Sequence, residues 1–181
     1  MKIRVIWNII VVSFVLVTFQ QISYATDITL NNTQAHVYFS PKGGCTDAIV
    51  DQIGKAKTEI FVQAYSFTSA PIAKALVNAH KRGVKVQAIL DKSQRKERYT
   101  SATFLSNAGI PTFIDAEHAI AHNKIMIIDS SMVITGSFNF TKAAEEKNAE
   151  NVLIINSKEL AKIYMDNWNK HRQHSEEYTG R

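Results

Sequence analysis

The sequence predicts an α/β domain whose mixed, largely parallel central sheet carries helices on both faces. Three observations predict it. Between residues 35 and 90 the chain alternates strand, helix, strand, helix, strand, and strands joined through helices pair in parallel. The segments 59–65 and 121–129 are apolar on both faces, as strands covered on both sides must be. At 181 residues the chain has the length of one domain with a single core.

The first residues follow the pattern of an export signal. Lys2 and Arg4 precede an apolar run over residues 5–19, and Ser23-Tyr24-Ala25 supplies small residues where a signal peptidase reads. Asn8 interrupts the run, which is shorter than the roughly 20 residues that span a bilayer, so an uncleaved anchor is disfavoured. Cleavage is expected after Ala25, leaving residues 26–181 as one domain, periplasmic or secreted and without stable membrane association. Loss of two cations and no acids lowers the formal charge from +5 to +3. A basic surface of this size favours polyanions only weakly. Cys45 is the single cysteine, so the exported chain has no internal disulfide, and its thiol reads as a small buried residue at a helix start.

The elements follow in order. Residues 35–39 alternate as a strand does, and Pro41-Lys-Gly-Gly44 breaks it. Thr46 is the expected N-cap of a helix through Lys57, with Ile49, Ile53 and Ala56 on its inner face. Residues 59–65 form a central strand. A helix follows, with Pro71 near its first turn, Ala75 and Leu76 inward and Gly83 as its stop. Residues 84–90 form the third strand, ended by Asp91. The basic stretch Lys92, Arg95, Lys96 and Arg98 comes next. Most such runs are solvated loops, but open α/β sheets bind ligands beyond the carboxyl ends of their strands, which makes these four candidates for phosphate contacts. A short helix over residues 101–107 ends at Gly109, and the proline in 110–114 marks an edge strand. Residues 121–129 and 132–135 are the next two strands. Residues 136–148 form a loop with a short helical piece, and 150–155 are the last strand. Ser157 caps a helix to about His174 with Leu160, Ile163, Tyr164 and Trp168 as its buried stripe.

Chemistry concentrates between His118 and Asn139. A buried strand has no use for free charges, yet this one carries His122 and Lys124. Strand alternation puts these two on one side and Asp129 on the other. The following strand delivers Gly136, Ser137 and Asn139 at its end. A cation, a nucleophile or base, and neutral donors together suit an anionic substrate.

His122-x-Lys124 with Asp129 four residues beyond the lysine, then Gly136-Ser-Phe-Asn139, resembles the H-x-K-x-x-x-x-D signature of the phospholipase D superfamily together with its downstream G-S-x-N element. The small size, the export signal and the continuation through Phe140 to Glu150 look like the small bacterial Nuc-type endonuclease branch. The resemblance implies a phospholipase D-like α/β/α sandwich. Members normally use two motifs, and this chain has one. It therefore implies a homodimer that brings two copies of His122 and Lys124 around one phosphate.

A phosphodiester needs a nucleophile, a proton for the leaving oxygen, and positive charge around its other oxygens. Imidazole titrates near neutrality and can supply either of the first two. The resemblance implies that one His122 attacks through a covalent phosphohistidine while the other protonates the leaving group. Lys124 with Ser137 and Asn139 would hold the oxygens, in place of a magnesium ion, so neither cofactor nor metal is expected. The family pattern also suggests that Glu150 orients the histidine through its other ring nitrogen, although a surface glutamate at a strand end reads much the same. Asp129 and Gly136 are expected to be structural, Asp129 by holding the turn at Ser130-Ser131 or by pairing with a basic neighbour.

The expected activity is hydrolysis of DNA phosphodiesters, single- or double-stranded and with RNA left open, with little dependence on sequence because the cations contact phosphate. A phospholipase D-type phospholipid phosphodiesterase is the nearer alternative, and a noncatalytic nucleic-acid-binding protein the third. A metal-dependent hydrolase built on Asp115, Glu117, His118 and His122 is disfavoured, because on a strand the two histidines would stand about 13 Å apart. His118 reads as a loop or pocket-rim residue, and His171 and His174 as the exposed end of the last helix.

Overall fold

A computed structural model describes residues 25–180. The expected export signal, apart from Ala25, lies outside the described residues. Eight strands form one open sheet in the order β1-β7-β6-β5-β2-β3-β4-β8. Their ranges are β1 Ala35–Ser40, β2 Glu59–Ala64, β3 Lys85–Asp91, β4 Thr112–Asp115, β5 Lys124–Ile128, β6 Met132–Gly136, β7 Glu150–Asn156 and β8 Glu176–Glu177. The helices are α1 Cys45–Lys55, α2 Ala70–Lys81, α3 Ala102–Asn107, α4 Lys142–Glu146 and α5 Lys158–His174.

The sheet is mixed, as expected, but parallel pairing is confined to β2, β3 and β4. The other five pairings are antiparallel. Connection length explains the parallel strands and the β5–β6 hairpin. Helices α2 and α3 carry the chain back across the sheet between β2, β3 and β4, whereas β5 and β6 are joined by a tight turn. In that turn Asp129 and Ser130 take left-handed backbone angles (φ 51° and 49°), and only an antiparallel hairpin can follow so short a loop.

Helices cover both faces. On one side α1 and α2 bury Ile49, Ile53, Ile72 and Leu76 against β2 and β5, and Phe138 and Phe140 close the same layer. On the other side α5 packs Ala161 and Trp168 on Phe61, Ile89, Phe113, Ile127 and Val133. Trp168 also donates its indole N–H to the Val62 carbonyl at 3.0 Å, so its polar atom is satisfied inside the core.

Three expectations are corrected. The helix α1 starts at Cys45 and Gly44 is its N-cap, so Thr46 lies inside it. The capping carboxylate comes from Glu145 in α4, which accepts from Gly44 N at 3.1 Å and Thr46 N at 2.7 Å. The same helix stops at Lys55, where Ala56 caps it through its N–H to the Ile53 carbonyl and the amides beyond, those of Lys57 and Thr58, are taken by Asp129. The strand β4 is not an edge, since β8 pairs with it at Phe113 and Ile114.

The pairing puts the carboxyl ends of β2, β3, β4, β6 and β1 and the amino ends of β5 and β7 along one rim of the sheet. Lys124, the Gly136–Asn139 corner, Glu150, Asp91 and Asp115 all lie there.

Candidate active site

Lys124 is the first residue of β5, opposite Ala64 in β2. The expected strand over 121–129 is shorter at its start, so His122 sits in the irregular lead-in and strand parity does not govern it. What joins the pair is a hydrogen bond: Lys124 Nζ donates to the His122 carbonyl oxygen at 2.8 Å. The imidazole itself is exposed and leans on the Tyr65 ring, with centroids 4.6 Å apart. Tyr65 also lies under the ammonium, 5.2 Å from Nζ to the ring centroid. It is a member of this group that sequence reasoning missed. Its position directly after a central strand, on the rim, was the available signal.

Lys124 is only 8% exposed. Burial pulls its pKa below the usual 10.5, and the nearby Glu150 carboxylate works the other way. An ammonium held out of water beside an exposed imidazole is poorly solvated and therefore well prepared for an anionic ligand.

Ser137 is exposed at the end of β6, where its Oγ accepts from Asn151 N at 3.1 Å and Asn151 Nδ2 at 3.3 Å. The backbone can turn there because residue 136 is glycine. Its φ is +143°, and a Cβ would stand 2.2 Å from the Asn151 carbonyl oxygen. Asn139 Oδ1 is buried without a hydrogen-bond partner among the described residues, and such an atom carries a cost that a donor from a ligand or a second chain would relieve.

Glu150 is not brought to the His122 ring within one chain. Its Oε1 accepts from Asn148 Nδ2 at 3.2 Å, and its charge is felt by Lys124 instead. Asp129 lies farther away than parity suggested. The five residues of β5 span about 16 Å at 3.3 Å per residue, which puts it at the opposite rim from His122. There its carboxylate accepts from the backbone amides of Lys57, Thr58 and Glu59 and from the Thr58 hydroxyl. It therefore ties the hairpin to the entry of β2, not to Ser130-Ser131.

The basic stretch begins in a 3₁₀ turn, Lys92–Arg95, capped by Asp91. Lys92 Nζ donates to the His118 carbonyl at 2.9 Å, and Arg95 pairs with Glu176 at 2.6 Å. Lys96 and Arg98 are exposed, with Arg98 over the Tyr99 ring. The last helix brings a further correction. His174 is exposed, as expected, but His171 is half-buried, and both turn a ring nitrogen onto the fully buried Asp115, where His118 joins them.

Comparison with known proteins follows this geometry. Residues 49–172 match the family described as cardiolipin synthase, PLD-like domain. A protein named phospholipase D from Rickettsia conorii is 47% identical over 148 residues, covering 82% of this chain and 74% of the relative. The crystal structure of Nuc, a phospholipase D family member from Salmonella typhimurium, superposes with a TM-score of 0.79 at 39% identity, covering 81% of this chain and 99% of that one. NucT from Helicobacter pylori shares the fold, with a TM-score of 0.76 at 23% identity, covering 81% and 100%. Together these define a phosphodiesterase, a hydrolase acting on phosphate diesters. The chain belongs to the phospholipase D superfamily, through its PLD-like domain, and is of the Nuc type. Among the described residues no helix is long and apolar enough to cross a membrane.

Proposed function

We propose that residues 26–181 form one exported endonuclease domain, periplasmic or secreted, that cleaves DNA phosphodiesters at a site completed by a second copy of the chain. The observation that carries this reading is Lys124, an ammonium kept from water at a sheet rim, bonded to the His122 carbonyl and sharing the Tyr65 ring with the exposed His122 imidazole. One chain offers one such imidazole and one such ammonium there, and the two-step chemistry needs two imidazoles.

In the first step a neutral His122 attacks phosphorus. A P–N bond forms as the P–O bond to the leaving strand breaks, and the protonated His122 of the other copy gives its proton to that oxygen. Water, deprotonated by the now neutral second imidazole, then attacks phosphorus and releases the first. Lys124 of each copy, with Ser137 and Asn139, stabilises the charge on the remaining oxygens, so the reaction calls for no metal. Glu150 acts on Lys124, whose charge it supports. Lys92, Lys96 and Arg98 extend from the same rim and are suited to backbone phosphates on either side.

Support for DNA comes from these cations and from the 39% identity over nearly the whole of Nuc. A second reading, cleavage of a phospholipid headgroup ester, draws on the name phospholipase D carried by the Rickettsia relatives. One experiment separates them. Plasmid DNA and phosphatidylcholine vesicles are incubated in parallel with the purified mature protein in excess chelator, beside His122→Ala. Plasmid nicking by the wild type, lost by at least about three orders of magnitude in a variant that still binds DNA, is expected. Headgroup release without nicking selects the phospholipid reading, and nicking by His122→Ala equal to wild type refutes both.

A further inference from the structure

Half of the chain's six histidines gather at one point that the proposed chemistry does not use. Asp115 ends β4, His118 follows in the next loop, and His171 and His174 occupy the last turn of α5. Their ligand atoms all lie within 4.8 Å of one another. His171 Nδ1 is 2.6 Å and His174 Nε2 3.3 Å from Asp115 Oδ2, and His118 Nδ1 is 3.5 Å from Asp115 Oδ1. The three rings stand in a nearly equilateral triangle, with centroids 4.9, 5.3 and 5.4 Å apart.

The geometry points to a structural metal site of the zinc type formed by Asp115, His118, His171 and His174. The dimensions decide this. Three imidazoles on one tetrahedral ion with Zn–N bonds of about 2.0–2.1 Å have ring centroids about 5 Å apart and donor atoms about 3.4 Å apart. The ring triangle already has that size. Of the two contacts to Asp115 Oδ2, that of His174 has it too and that of His171 needs to open by less than an ångström, while His118, which reaches Oδ1, and the widest ligand-atom spacings within the 4.8 Å limit must close on the ion.

An ion pair alone explains the arrangement poorly, since one carboxylate balances one imidazolium, whereas three rings converge here. A dication with one carboxylate and three neutral imidazoles is chemically complete. Three nitrogens and one oxygen suit zinc, cobalt or nickel, and not the all-oxygen preference of calcium or magnesium. Four protein ligands fill a tetrahedron, so no position is left for catalysis.

The outer contacts are those that hold ligands in place. Glu117 N donates to Asp115 Oδ1 at 3.1 Å. The Ser175 hydroxyl fixes the His171 carbonyl at 2.7 Å, and Lys92 fixes that of His118. Asp115 lies one residue beyond the row in which Lys124, Ala64, Leu90 and Ile114 pair across four strands. The cluster is thus about 14 Å along the rim from Lys124 at 4.8 Å per strand. A metal there would fasten the end of α5 to the loop that leads into His122, while leaving the reaction itself metal-free.

The test titrates chelator-stripped, full-length mature protein with Zn²⁺ against a chromophoric competitor, with Co²⁺ spectra as a readout of tetrahedral geometry. One ion per chain is expected. The thermal midpoint should rise by about 5–10 °C at a free-metal concentration 100-fold above Kd. His118→Ala and His174→Ala alter side chains that are 47% and 31% exposed, so both variants should fold. Each is expected to weaken binding at least about 100-fold, while His36→Ala, remote on β1, changes nothing. A wild type that takes up no zinc, or either cluster variant that binds as tightly as wild type, overturns the assignment. Plasmid cleavage plays no part in these readouts, so the site and the nuclease reading stand or fall separately.

Discussion

Asp129→Asn separates the signature's aspartate from the chemistry of the histidine and lysine that precede it. Four donors converge on the Asp129 carboxylate: the amides of Lys57, Thr58 and Glu59 and the Thr58 hydroxyl, at 2.8 to 3.2 Å. Asparagine tolerates the left-handed φ of 51° as well as aspartate does, so the exchange adds no backbone strain. It removes the charge and turns an N–H toward the Lys57 amide. Hydrogen bonds to a charged group contribute about 1.5–3 kcal/mol each where water cannot compete. Asp129 is half-buried and asparagine keeps one acceptor, so a net loss of about 2 kcal/mol is expected. For a domain of this size the melting temperature should fall by about 4–8 °C.

The pH dependence gives a second reading of the same substitution. Burial alone would raise the Asp129 pKa, but the hydrogen bonds from Thr58, Lys57 and Glu59 outweigh it and hold the carboxyl below its ordinary 3.8. A group whose folded pKa is depressed adds stability above its unfolded value and loses it as pH falls through the folded one. The gap in melting temperature between wild type and Asp129→Asn should therefore be constant from pH 6 to 8 and close below about pH 4. Scanning calorimetry across pH measures this, and plasmid cleavage below the variant's melting range should stay within about threefold of wild type. A variant that melts with the wild type but has lost cleavage would refute the reasoning.

Lys124→Met should behave in the opposite way. Folding disfavours the lysine's charge, so replacing it removes a penalty that is present in full at pH 7 and fades only as pH rises through the lowered pKa to the ordinary 10.5 of the unfolded chain. The variant should melt no lower than wild type at pH 7, with the stability difference shrinking at alkaline pH, while cleavage falls by at least about two orders of magnitude. Glu145→Ala removes the carboxylate that caps α1, and thermal melts should show a loss of about 1–2 kcal/mol with little change in activity. Gly136→Ala drives a Cβ into the Asn151 carbonyl; it should cost more than about 2 kcal/mol and reduce activity by displacing Ser137 and Asn139.

The class of fold was legible because its signals are local. The burial of β5, the caps of α5 and the helix–strand alternation over residues 35–90 are written in neighbouring residues. The share of parallel pairing was not, since it depends on which strands a crossover helix joins and on β5, not a sequential neighbour, pairing with β2. The α1 cap was illegible for the same reason: its carboxylate arrives from 99 residues away along the chain. Parity assigned Asp129 to the wrong kind of separation. Counting residues along the strand, at about 3.3 Å each, already puts it beyond reach of His122, and that arithmetic needs no structure. The spacings Asp115-x-x-His118 and His171-x-x-His174 were equally visible. Nothing local says that the end of a helix more than 50 residues later will fold back onto β4.

The two rims of the sheet divide the labour of the H-x-K-x-x-x-x-D pattern. Its first two residues stand where β5 begins, at the rim with Tyr65, Ser137, Asn139 and Glu150, and its last stands where β5 ends, stitched to the start of β2. The fixed spacing between lysine and aspartate is then the length of a strand that must cross the whole sheet. A chain that kept the chemistry but changed that spacing would move either the ammonium off the rim or the carboxylate off the amides of Lys57, Thr58 and Glu59. The signature thus records a distance as much as a set of functional groups, and that is why a residue remote from the imidazole belongs to it.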